Sequence, residues 1–126
     1  MNYLHFFEDA KSAQQTMLAL PKQTINAVLI DLANEIRQQA PHLLEENRRD
    51  LSRMSLEDPK YDRLKLTIDR IGSIANDIEH VVQLDNPIGS IIENRVLENS
   101  LHLSKVRVPL GVVSVIYEAR PNVTLD

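Results

Sequence analysis

The sequence predicts an α/β protein, and three observations carry that prediction. Apolar residues recur every three to four positions through the first two thirds of the 126-residue chain. That period breaks at Asp85-Asn86-Pro87-Ile88-Gly89, and two short runs follow on either side of Glu98-Asn99-Ser100. A last apolar run, Gly111-Val112-Val113-Ser114-Val115-Ile116, shows no alternation at all. Helices, an antiparallel hairpin and a strand buried on both faces are therefore expected in that order. The expected divisions are 1–86 (helical), 87–109 (hairpin) and 110–126 (a buried strand and the start of a further helix).

The first helix rests on Leu4, Phe7, Ala10, Ala13, Met17 and Leu20. Pro21 interrupts that stripe and suits the opening turn of a second helix, which carries Ile25, Val28, Leu29, Leu32, Ala33 and Ile36 on one face. Pro41 opens a third, with Leu44, Leu51 and Met54. Within it, Asn47-Arg48-Arg49-Asp50 reads as a solvated face. SLEDPKYD reads as a loop centred on Pro59. Thr67 is placed as an N-cap, with Asp69 in the first turn of the helix that follows. That helix presents Ile68, Ile71, Ile74, Ala75, Ile78, Val81 and Val82. Gly72 inside it costs about 1 kcal/mol against Ala, which suggests a close packing contact.

In the hairpin, residues 91–97 and 101–108 form the strands. Leu101 and Leu103 share one parity, whereas Val106 and Val108 share the other. A half-buried strand keeps its apolar face, so a bulge is expected near Ser104-Lys105. Beyond Ile116 the chain turns polar at Tyr117-Glu118-Ala119-Arg120-Pro121-Asn122. In parallel sheets, ligands sit beyond the carboxyl ends of the strands, so this stretch is the candidate site. Asn122 is also suited to cap a helix starting at Val123. One buried parallel strand cannot make a sheet, so the chain is expected to be the front part of a larger α/β protein.

Composition narrows the function. The chain is 43% hydrophobic and 25% charged, with net charge -4. That balance argues against a nucleic-acid partner. No stretch approaches the roughly 20 apolar residues of a membrane span. Glu8 and Asp9 stand where a signal peptide would need basic residues. A cytoplasmic protein without membrane or nucleic-acid partners is expected. The chain has no cysteine, so a thiolate nucleophile is absent from it. His5, His42, His80 and His102 lack metal-ligand spacing, and no metal is expected. Gly111 has no companion glycines of a phosphate-binding loop.

The run KVRVPLGVVSVIYEARPNVTLD from Lys105 closely resembles the glutamate-5-semialdehyde dehydrogenases, or γ-glutamyl phosphate reductases, of the aldehyde dehydrogenase superfamily. YEARPNVT is its most specific part. YDRLKLTIDRI from Tyr61, LDNPIG from Leu84 and ENRRDL from Glu46 resemble further blocks of that family, in order. The chain departs from the family pattern at LPKQ before the second helix and at Asn99-Ser100, where Asn-Gly is usual. The resemblance covers roughly residues 7–126.

The resemblance implies a fold and a reaction. Residues 1–86 would be the amino-terminal helical part of a cofactor-binding domain. Residues 87–109 would be an oligomerisation-type hairpin, with homo-oligomer contacts through 91–108. Residues 110–126 would hold the first strand of an aldehyde-dehydrogenase-like Rossmann-type domain, incomplete here. The family reduces L-glutamyl 5-phosphate to glutamate 5-semialdehyde with NADPH and releases phosphate, in proline biosynthesis. A cysteine attacks the acyl phosphate and hydride resolves the thioester. That cysteine lies outside this sequence, so the segment alone is expected to be inactive. By the same resemblance, Asn122 is an oxyanion donor. Arg120, with its planar fork at the strand's carboxyl end, is expected to bind the substrate's phosphate or carboxylate, and Tyr117, Glu118 and Pro121 are expected to shape the cofactor site. Functional coupling to the glutamate 5-kinase that makes the substrate is a further expectation.

Each residue also has a plain reading. Asn122 can be a cap. Arg120 can pair with Glu118 or Asp126. Glu118 can be one half of an ion pair. The contrasting function is a non-catalytic assembly or binding module built on the helices and hairpin.

Overall fold

The computed structural model describes residues 3–118 and 120–125. The chain divides into two compact units, Met1–Leu20 with Asp85–Ser114, and Pro21–Leu84 with Val115–Asp126.

The second unit holds the core. Helix α2 (Lys22–Gln38) follows Pro21, and α3 (Ala40–Leu51) begins after the single non-helical residue Gln39. Pro41 falls in the first turn of α3, where its missing N–H costs no helical bond. A short helix, α4 (Tyr61–Leu64), begins in the last two residues of the stretch expected to be loop and runs beyond it. Helix α5 (Ile68–Gln83) starts where the sequence places it, and the Thr67 hydroxyl accepts from the Arg70 N–H at 3.2 Å.

The predicted stripes meet. Ala33 and Ile36 of α2, Ala40 of α3, and Ile71, Ala75 and Ile78 of α5 are buried together. Leu29, Leu44, Leu66 and Ile74 pack around them. The alanines let α2 and α5 approach, and Ile71 supplies the largest fully buried side chain. Hydrogen bonds join the same helices: the Arg37 guanidinium donates to both Glu79 carboxylate oxygens, at 2.6 and 2.9 Å, and to Asn76 Oδ1 at 2.8 Å. Asn26 Nδ2 donates to the Val82 carbonyl at 3.4 Å.

Two expectations for these helices fail. Beyond its chain neighbours and its own helix backbone, no atom of the described residues lies within 4 Å of a Cβ built on Gly72, so no close packing explains that glycine. Asn47 is buried rather than solvated, at 7% exposure. Its amide spans a gap in the backbone, with Nδ2 donating to the Leu64 carbonyl and Oδ1 accepting from the Leu66 N–H, both at 2.8 Å. Its neighbours keep the solvated character expected of them: Arg48 and Arg49 pair with Glu45 and Glu46 one turn back.

The first unit contains α1 (Leu4–Met17), which has no buried residue, and an antiparallel hairpin. Strands β1 (Ile91–Val96) and β2 (His102–Val106) pair from Val96↔His102 to Ile91↔Val106. The turn closes with the Ser100 N–H donating to the Leu97 carbonyl and the Leu97 N–H to the Leu101 carbonyl, both at 2.9 Å. Ser100 has φ 66°, in the left-handed region. The expected bulge exists at the expected level of the ladder but on the other strand. Val106 pairs with Ile91 and Lys105 with Glu93, so Ile92 of β1 is the extra residue. An extra residue on β1 leaves the alternation of β2 itself unbroken, so the parity change in β2 is not explained by it. Both strands are exposed along their length.

No ladder forms over Val112–Ile116 among the described residues. Val113 is 67% exposed and Ile116 98% exposed. An apolar run becomes a strand only when a neighbour takes its backbone hydrogen bonds, and none of the described residues does so. The helix expected from Val123 is a single 3-10 turn, Pro121–Thr124. Asn122 lies inside that turn, so it does not serve as an N-cap. Among the described residues, no helix is long and apolar enough to cross a membrane.

Candidate functional site

Every site residue expected from the sequence falls in the second unit, on the stretch that leads into the 3-10 turn. The turn is held by the Val123 N–H donating to the Arg120 carbonyl at 3.1 Å and the Leu125 N–H to the Asn122 carbonyl at 2.8 Å. Pro121 at the first position presets its φ. Tyr117 reaches across it, its hydroxyl hydrogen-bonded to that of Thr124.

Two hollows flank this segment. The larger, of about 540 Å³, gathers Arg120, Pro121, Asn122 and Leu125 with the Asp62–Leu66 stretch and one stripe of α5. That stripe is Arg70, Ser73, Ile74, Asp77, Ile78 and Val81, the helical spacing that puts side chains on one face. A cleft of this size is within the range that holds small molecules. The smaller hollow, of about 290 Å³, lies on the other side of Arg120 and Pro121. Tyr117, Glu118, Glu46, Asp50 and Asn47 line it together with Leu43, Leu64 and Leu66.

The expected site residues therefore divide. Arg120 and Pro121 line both hollows, Asn122 only the larger, and Tyr117 and Glu118 only the smaller. Glu118 makes an ion pair with Lys60, 2.5 Å from carboxylate to ammonium. Its hydrogen bond, reinforced by its charge, holds the Lys60 ammonium above its ordinary range. The expected pairing of Glu118 with Arg120 is thus replaced by one with Lys60. The alternative pairing of Arg120 with Asp126 lies outside the described residues, as does Ala119.

The walls differ in charge. The smaller hollow carries Glu46, Asp50 and Glu118 against Arg120. Carboxylates accept hydrogen bonds from hydroxyls and repel phosphates, so this side suits an uncharged, hydroxylated group. The larger cleft carries four cations, Arg63, Lys65, Arg70 and Arg120, against Asp62 and Asp77.

Its rim is built locally. The Arg70 guanidinium donates to the Asp62 and Lys65 carbonyls at 2.7 and 2.6 Å and to both Asp62 carboxylate oxygens at 3.2 Å. With Asn47 holding Leu64 and Leu66, nearly every residue from 62 to 66 is tied down. Arg63 and Lys65, unmarked by the sequence reading, become cleft residues through this loop. Their signal in the sequence was only alternation of charge within Asp62-Arg63-Leu64-Lys65.

The class comes first from the fold. Helices with an antiparallel hairpin make an α/β arrangement. The chain superposes on the crystal structure of a gamma-glutamyl phosphate reductase from Thermotoga maritima with a TM-score of 0.89 at 29% identity, over 99% of this chain and 31% of that one.

Sequence relatives agree. The chain is 50% identical over 119 residues to the gamma-glutamyl phosphate reductase of Chlorobium phaeobacteroides (strain BS1), covering 94% of this chain and 28% of that protein. It is 43% identical over 126 residues to the one from Bacteroides fragilis (strain YCH46), covering 100% of this chain and 30% of that protein. No family model matches the chain. In sequence and in fold the chain matches a segment of the gamma-glutamyl phosphate reductases, and it spans about three tenths of the length of these relatives.

Proposed function

We propose that the chain serves as part of an NADPH-dependent reductase converting L-glutamyl 5-phosphate to glutamate 5-semialdehyde and phosphate in proline biosynthesis. The observation that carries this reading is the match in sequence and fold to gamma-glutamyl phosphate reductases across nearly the whole chain. The placement of Arg120, Pro121 and Asn122 on one wall of the larger cleft supports it.

In this reading Asn122 offers its amide to the developing oxyanion, as a fixed donor where charge appears. Arg120 takes the substrate's phosphate or carboxylate through its planar fork. Tyr117, Glu118 and Pro121 would stand against the dinucleotide. The hollow beside them, with three carboxylates against Arg120, fits the hydroxyl-bearing portions of NADPH better than its phosphates. The hydride comes from the cofactor when it is bound. The chain supplies no cysteine for the acyl transfer, so by itself it turns nothing over. A glutamate 5-kinase is the expected source of the unstable acyl phosphate, which favours functional coupling. The exposed apolar residues of the hairpin, among them Ile91, Ile92, Val96 and Leu103, support a subunit contact there.

A chimera tests the reading. These 126 residues replace the matching segment of the Chlorobium phaeobacteroides reductase, and oxidation of NADPH is followed with L-glutamyl 5-phosphate generated in situ. The chimera is expected to retain turnover, and Asn122→Ala within it to lose roughly 10²- to 10³-fold. A correctly folded chimera without activity overturns the reading in favour of an assembly module. Turnover by the 126-residue chain alone would overturn the expected inactivity.

A further inference from the structure

We propose that Arg63 and Lys65, together with Arg120, form an anion subsite in the larger cleft that takes a phosphate group.

Some of the charges lining the cleft are already engaged. Of the six ionic groups lining the cleft, Arg70 and Asp62 satisfy each other and Arg70 also holds two carbonyls. That leaves Arg63, Lys65 and Arg120 against Asp77. Among the described residues, none of the three has an ion-pair partner. The neighbouring lysine outside the cleft, Lys60, is already neutralised by Glu118 at 2.5 Å. Positive charge is thus in excess inside the cleft, whereas the hollow on the other side of Arg120 sets three carboxylates against Arg120 alone. Focusing of like charge in a concave wall raises the local concentration of the opposite ion.

The rim that carries two of these cations is also preorganised. The Asp62–Leu66 backbone is tied by Asn47 on one side and Arg70 on the other. Arg63 and Lys65 therefore project from a fixed rim, and little backbone entropy opposes their closing on a ligand. Ser73 and Asn122 add neutral polar groups to the same lining. Ile74, Ile78, Val81 and Leu125 supply an apolar remainder. The cleft suits a small molecule with a phosphate at one end and a less polar body.

The inference deepens the proposed function, since glutamyl phosphate carries such a group. It rests on that reading only for the identity of the anion.

The test uses the ¹⁵N-labelled 126-residue chain titrated with inorganic phosphate, ionic strength held constant with sodium chloride. Saturable amide shifts at Arg63, Lys65 and Arg120 are expected. Arg63→Gln with Lys65→Gln should weaken binding at least about tenfold, as loss of charge-assisted hydrogen bonds predicts. Lys11→Gln, an exposed change in the other unit, should leave it unaltered. Arg63→Lys, which keeps the charge, should stay within about threefold and guards against a folding artefact, with helicity checked by circular dichroism.

A second arm uses adenosine 2′-monophosphate. Binding about tenfold tighter than phosphate assigns the subsite to a dinucleotide. Equal binding assigns it to the substrate's phosphate. Both support the subsite. Shifts that do not saturate, or that survive the double substitution, overturn it. If the chimera is active while phosphate fails to bind, the subsite falls and the reductase reading stands. Phosphate binding with an inactive chimera has the opposite consequence.

Discussion

Asn47 Oδ1 accepts a hydrogen bond from the Leu66 backbone N–H at 2.8 Å, across 19 residues of sequence. The same side chain donates to the Leu64 carbonyl at 2.8 Å, so one amide replaces two backbone partners. Asn47 is 7% exposed, and water cannot easily substitute for it. Asn47→Leu should cost about 2–4 kcal/mol, because two backbone groups lose their partners in a part-buried place. Asn47→Asp keeps the acceptor and loses the donor, and puts a carboxylate against the Leu64 carbonyl. Burial disfavours that charge and raises its folded pKa above the unfolded value. Its deficit relative to wild type should therefore shrink as pH falls and the carboxyl regains a proton to donate. Urea unfolding at several pH values measures both. A deficit that grows towards low pH would refute the account.

Much of the fold was legible because helices advertise a period. The stripes of α2 and α5 supply all but one of the buried apolar residues, and Thr67 could be named as a cap from its chemistry. The hairpin was legible from its turn. What escaped was tertiary. Asn47 looked like one more polar residue on a charged helix, and only the fold brings it to Leu64 and Leu66. The bulge was expected in β2 because the pattern break lies there, yet a ladder has two strands and the extra residue is Ile92. Val112–Ile116 has the composition of a strand, but composition cannot supply a neighbour. At the candidate site, Arg120 and Asn122 were legible through the YEARPN block. Arg63 and Lys65 were not, since a cleft is a property of three separated segments.

The Arg37–Glu79 pair carries a pH signature. The hydrogen bond from Arg37, with its charge, holds the Glu79 carboxyl below its ordinary value of 4.5. Glu79 likewise raises the Arg37 guanidinium. For a carboxyl depressed in the folded state, the stabilisation is present above the unfolded pKa and is lost as pH falls through the folded one. Glu79→Gln should therefore lower Tm at pH 7, with the gap to wild type narrowing below about pH 4.5. Added salt at pH 7 should narrow it too, because both side chains are more than a third exposed. A gap independent of pH would mean that α2 and α5 gain nothing from this pair's charge.

Ile71 is the keystone of a small core. It is 2% exposed and packs with Ala33, Ile36, Ala40, Ala75 and Ile78. Ile71→Ala should cost about 2–5 kcal/mol, combining lost transfer energy and the cavity left behind. Ile71→Val should cost about 0.5–1.5 kcal/mol. Calorimetry on both variants gives the comparison. Equal effects would show that the helices collapse into the space.

Ser100 offers the opposite sign. Its φ of 66° lies where a Cβ crowds the following carbonyl, at a cost of about 1–2 kcal/mol for ordinary residues. The turn needs that conformation: Leu97 and Leu101 are joined across three residues, and the third of a three-residue hairpin loop takes the left-handed region. Glycine adopts it freely but gives up about 0.5–1 kcal/mol of unfolded-state entropy. Ser100→Gly should therefore stabilise the hairpin by roughly 0.5–1 kcal/mol, the difference between those two terms. Ser100→Val should destabilise it, since a β-branched side chain tolerates this region least. Amide exchange at Leu97 and Ser100, whose N–H groups close the turn, reads the local effect directly. Slower exchange in the glycine variant and faster exchange in the valine variant are the expected pair. Faster exchange in both would mean that the Ser100 side chain itself holds the turn.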